Sequence, residues 1–137
     1  MAHRSITALI GTLVCATAAM ANPAVSNAET AKAYRVDAAR HIYASYPAKI
    51  YKGKLPPLVH AIVVLEVDVD GAGKLRNINM IRVPTHAPDV TEAVRNMIEQ
   101  THLPAPVRMA GGAKFTEIWL VDKSGRFQLD TLTEGQR

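Results

Sequence analysis

Residues 31–132 predict an α+β domain, a small antiparallel sheet of three to four strands with two helices packed on one face. Three observations carry this. Two segments repeat apolar residues at helical spacing. Two others alternate strictly and run into a Gly-containing turn. The resulting order is helix, strand, strand, helix, strand, short strand. Hairpin connections require antiparallel neighbours, and neither helix can bury its apolar stripe without the sheet.

The first helix is expected over residues 31–45 (AKAYRVDAARHIYAS), where Val36, Ala39 and Tyr43 recur at helical spacing beside Ala38 and Ile42. Its alanines favour helix, and Pro47 stops it because the residue before a proline is pushed out of the α region. Residues 47–57 (PAKIYKGKLPP) form a loop. Residues 63–84 (VVLEVDVDGAGKLRNINMIRVP) then allow two readings, a calcium loop beginning at Asp68 or a β-hairpin. An EF-hand loop needs oxygen-bearing side chains at its first, third and fifth positions, and Glu at the twelfth. Here the fifth is Ala72 and the twelfth Asn79. The hairpin is favoured: Val63, Leu65, Val67 and Val69 alternate with Val64, Glu66, Asp68 and Asp70. Asp70-Gly71 is expected to supply the positive φ of the turn.

Asp89 and Glu92 stand three apart, as in a capping box with Asp in the cap role. Val90, Ala93, Val94, Met97 and Ile98 follow as a one-sided amphipathic stripe. Leu103-Pro104-Ala105-Pro106 ends that helix. Residues 114–121 (KFTEIWLV) read as a third strand, Asp122-Lys123-Ser124-Gly125 as a turn, and residues 126–130 as a short returning strand. Residues 133–137 form a polar tail.

The 137 residues suit one domain. His3 and Arg4, the apolar run Ile6–Met20 and the small-residue exit Ala19-Met20-Ala21 have the order of a cleaved secretory signal over residues 1–21. Ser26-Asn27-Ala28 offers a second exit. An uncleaved anchor fits less well, because the run is short and rich in Ala and Thr. Residues 22–30 are expected to be a flexible new terminus. The chain is therefore expected outside the cytoplasm, periplasmic or secreted. Its single cysteine, Cys15, falls in the signal, which leaves the mature chain no disulfide, thiolate metal site or Cys nucleophile.

The net charge of +4 is scattered, with one loose basic cluster at Lys49, Lys52 and Lys54. A nucleic-acid stripe would be denser and would interleave aromatics. His41, His60, His86 and His102 lie in different elements without helical metal-ligand spacing. Ser26, Ser45 and Ser124 lack the Gly-flanked turn of a nucleophile, and Gly71-Ala72-Gly73-Lys74 lacks the strand–loop–helix context of a phosphate loop. No catalytic residue, metal or cofactor is expected. The default is a binding domain whose tool is an unpaired strand edge. The competing class is a small secreted enzyme or metal-binding protein without recognisable motifs.

Several strings together resemble the C-terminal domain of TonB and its relative TolA. Tyr46-Pro47 before a basic loop is similar to the Tyr-Pro that precedes the family's first strand. Val64–Ile81 resembles its hairpin, Val90–Thr101 with Leu103-Pro104-Ala105-Pro106 its second helix and proline segment, and Ile118–Leu129 its last hairpin. The resemblance implies a periplasmic module that recruits an extended segment of an envelope partner, such as an outer-membrane receptor, alongside its sheet. A TolA-like envelope-integrity adaptor is the near alternative. The resemblance further implies that the segment joins along Lys114–Val121, flanked by Tyr46 and Pro47. Phe115, Glu117, Trp119 and Val121 share one face of that strand. If Ile118 and Leu120 face the helices, Trp119 is an exposed contact; if the faces are swapped, it packs inward. The chain departs from TonB in having a cleavable signal and no long proline-rich spacer, which separates peptide binding from energy transduction.

Overall fold

The computed structural model describes residues 24–137; the expected signal at 1–21, Cys15 included, lies outside them. In chain order the elements are β1 (Val25–Ser26), α1 (Ala31–Ser45), β2 (Ala61–Val69), β3 (Leu75–Arg82), α2 (Pro88–Gln100), β4 (Ala105–Pro106), β5 (Ala113–Val121) and β6 (Phe127–Leu129). The main sheet is antiparallel in the order β3-β2-β5-β6, and β1 pairs β4 in a separate two-stranded parallel ribbon. This is the α+β architecture the sequence predicts.

Thr30 starts α1, its hydroxyl accepting the Ala33 N–H at 3.2 Å. The helix buries Tyr34, Ala38, Ala39 and Ile42, so the inward stripe is rotated from the one centred on Val36. α2 begins two residues earlier than expected. Pro88 occupies the first turn, where its missing N–H costs nothing, and no side chain caps the helix. Asp89 thus sits within the first turn, facing the positive end of the helix dipole, and not in the cap role. Val90, Val94, Met97 and Ile98 face inward as the stripe requires.

On the sheet, Val63, Leu65, Val67 and Val69 of β2 lie opposite Trp119, Glu117, Phe115 and Ala113 of β5, all buried on the same face. Against them pack α1 and the apolar side of α2. Tyr34 meets Phe115 edge-on at 5.6 Å, and Trp119 meets Phe127 at 4.4 Å between ring centroids. Each large apolar side chain buried here stabilises the fold by about 1.5–3 kcal/mol before entropy is counted.

The β2–β3 turn is built by Asp70. Its carboxylate accepts the N–H groups of Ala72 and Lys74, both at 2.9 Å. The positive φ falls at Gly73, at 80°, and not at Gly71. Both ends of the described chain are held. The segment from Ala24 is held and not flexible: β1 pairs β4, the Ala105 N–H donates to the Ala24 carbonyl at 2.9 Å, and the Ser26 hydroxyl reaches Asp37 at 2.6 Å. The polar tail is also docked, with Leu55 bridging to Gln136 and the Leu55 N–H donating to the Gly135 carbonyl.

Candidate functional site

A sheet of this order has two edges, and β5, the strand expected to meet a partner, is neither of them. β5 is interior, paired with β2 along its whole length and with β6 over Trp119–Val121. Just past β6, a buried carboxylate closes the side of β5 at Ile118. Glu117 accepts the N–H of Ile118 at 3.0 Å, the hydroxyl of Thr131 at 2.6 Å and a guanidinium N–H of Arg35 at 2.9 Å. Its side chain is 1% exposed, and the short 3-10 turn Asp130–Leu132 lies against it. Arg35 is held protonated by its hydrogen bond to Glu117, against the opposing pull of burial. The outer side of β6 is closed as well, by a bridge from Ile50 to Phe127 and by the Tyr51 N–H donating to the Phe127 carbonyl at 2.9 Å. Gln128 locks that cover in place. Its amide donates to the carbonyls of Tyr51 and Gly53, and its oxygen accepts from Thr133 and Glu134.

The face assignment of β5 is the swapped one. Phe115, Glu117, Trp119 and Val121 turn into the core, while Ile118 and Leu120 lie half-buried on the outer face. The physical reason is the pairing: Trp119 stands opposite Val63 and beside Phe127, where its ring completes the packing under α1. Tyr46 is half-buried at the end of α1 and donates its hydroxyl to the Met97 carbonyl at 2.9 Å, tying the two helices together. Of the six residues expected to meet a partner, only Pro47 is exposed.

β3 is the open edge. It has β2 on one side and no strand on the other. Leu75, Ile78 and Met80 pack partly against the core cluster and stay half-exposed, because the helices do not fully cover this margin. Asn77, Asn79 and Arg82 point to the outer face, opposite Asp68, Glu66 and Val64. Natural edges are blunted by charge, proline or a bulge. Here Arg76 and Arg82 stand near the two ends, and Ile81 bulges between the pairs Val64–Arg82 and Leu65–Met80. The centre, Asn77 to Met80, has neither charge nor proline. The sequence signal for an edge was present in this strand's exposed asparagines and arginines, but which hairpin strand closes on which is not written in local pattern.

His60 and His86, which sequence places apart, come together edge to face at 5.4 Å, with a ring nitrogen of His86 2.6 Å from the His60 carbonyl oxygen. Among the described residues, no group of three or more His, Cys, Asp or Glu side chains is placed to hold a metal ion. Also among them, no helix is long and apolar enough to cross a membrane. No family model, curated protein or solved structure matches this chain.

Proposed function

We propose that this domain binds an extended segment of another cell-envelope protein, which adds to the sheet along β3 in the manner of a TonB C-terminal domain. One observation carries the reading: β3 offers an unpaired edge with an uncharged centre, bordered on the helix side by half-exposed Leu75, Ile78 and Met80. A strand docked there would satisfy free main-chain groups and cover that aliphatic row with its own alternate side chains. The sequence order of a basic head, an apolar run and a small-residue exit supports a partner in the envelope.

The test is position-specific photocrosslinking in the native envelope. A crosslinker at Asn79 should capture a partner, and one at Glu92 on the exposed side of α2 should not. Ile78→Lys places a charge beside the edge, and Asn77→Lys with Asn79→Lys charges the strand without touching the core; each should lower capture about tenfold. Equal capture from Asn79 and Glu92, or capture indifferent to the lysines, contradicts edge pairing.

A further inference from the structure

At the end of the sheet remote from β3, the loop after α1 runs beside β6 and forms a cleft of about 550 Å³. Pro47 and Ile50 supply an apolar wall, Tyr51 an aromatic one, and Lys52 and Arg126 two cations. Lys49 and Lys54 lie on the same loop and Lys123 in the β5–β6 turn. Such a concentration of positive charge would ordinarily draw carboxylates into ion pairs. Among the described residues the ion pairs are Arg35 with Glu117 and Asp130, Arg76 with Asp68, and Arg108 with Glu29. Lys52 and Arg126 take part in none.

Asp122 and Glu134, which hydrogen-bond to the segments carrying Arg126 and Lys52, form no ion pair with either. Asp122 accepts the N–H groups of Ser124 and Arg126 at 3.0 and 3.1 Å and the Ser124 hydroxyl at 2.6 Å. Glu134 accepts the Gly53 N–H at 2.8 Å and the Gln128 amide at 3.4 Å. The loop that carries Lys52 is itself fixed, by the Tyr51–Phe127 main-chain bond and by Gln128 holding the carbonyls of Tyr51 and Gly53. Two cations are thus presented unneutralised over one cleft, on backbone that needs no ordering before a ligand arrives.

We propose that this cleft is a binding site for a phosphate group, with Arg126 supplying a forked donor and Lys52 a point charge. Two cations match a dianion better than a single carboxylate, and the Pro47, Ile50 and Tyr51 walls accept the apolar or sugar body that carries it. The phosphate could come from a free phosphorylated molecule or from a lipid headgroup. The site lies away from β3 and does not rest on edge pairing.

Isotope-labelled protein titrated with inorganic phosphate, against acetate and chloride at equal ionic strength, tests it by amide shifts. The expected result is saturable shifts at Tyr51, Lys52, Arg126 and Phe127, about tenfold weaker with acetate. Lys52→Gln and Arg126→Gln should each weaken binding about tenfold while leaving the melting temperature unchanged, since both side chains are exposed. Co-sedimentation with phosphatidylcholine vesicles containing phosphatidylglycerol, lost in the same variants, assigns the headgroup as source. Phosphate saturation without co-sedimentation assigns the free molecule. Shifts that follow ionic strength alone, or that persist in both variants, overturn the site.

Discussion

At Glu117 a single buried carboxylate accepts from a main-chain N–H, a hydroxyl and a guanidinium, and so takes up the one N–H of Ile118 that a neighbouring strand would otherwise use. Glu117→Leu should cost about 3 kcal/mol, because Arg35 loses its buried partner and the N–H of Ile118 its acceptor; urea unfolding measures it. Trp119 makes the complementary point. Fully buried against Phe127, it should cost about 3–5 kcal/mol when truncated to Ala, whereas Leu120→Ala on the half-buried outer face should cost clearly less. Two-residue alternation correctly placed Phe115, Glu117, Trp119 and Val121 on one face. It could not say which face, since the outer row Ile118 and Leu120 is equally apolar. Glu117 in the inward row is buried all the same. Its partners, Arg35 and Thr131, lie far from it in sequence, and so its burial could not be read from the strand alone.

At the scale of elements, both helices and both hairpins were legible because each depends on local pattern and punctuation. The cap of α2 was misread by two residues, since Ala87 holds the cap position and Pro88 begins the helix without any side-chain cap. The turn glycines separate two physical roles. Gly73 and Gly125 both have positive φ, at 80° and 84°. A Cβ on Gly73 would overlap the Leu103 carbonyl oxygen, while one on Gly125 meets open space. Gly125→Ala should therefore cost about 1 kcal/mol, the backbone penalty alone. Gly73→Ala should cost more, because the β2–β3 turn must move off the segment after α2. Thermal melts of the two variants side by side decide it. That close approach is tertiary, and nothing in the string Gly71-Ala72-Gly73 reveals it.

Across the whole molecule, sheet order and the closing of one edge come from contacts far apart in the chain, such as Val67 with Phe115 and Ile50 with Phe127. These were not legible, and with them went the identity of the open strand. The same long-range packing sets the response to alkali. Burial pushes the Tyr34 phenol well above its ordinary value of 10, with the Asp37 charge adding to it, and its hydroxyl donates to the Pro104 carbonyl at 2.8 Å. Burial raises Tyr43 in the same direction. Above about pH 10 the unfolded chain releases these protons while the folded chain keeps them, so stability falls as pH rises. Melting temperatures taken between about pH 9 and 11 should decline, and Tyr34→Phe should flatten the decline while lowering stability below pH 10 by about 1 kcal/mol.

If a partner joins the sheet at β3, amide hydrogen exchange shows it. With the crosslinked or co-purified partner segment bound, the amides of Asn77 to Ile81 that face away from β2 should exchange far more slowly than in the free protein. The amides of β6 and of Ile118–Val121 in β5, already paired or covered, should not change. Protection appearing along Lys114–Ile118 with β3 unaffected would contradict the account and return the partner to the opposite edge.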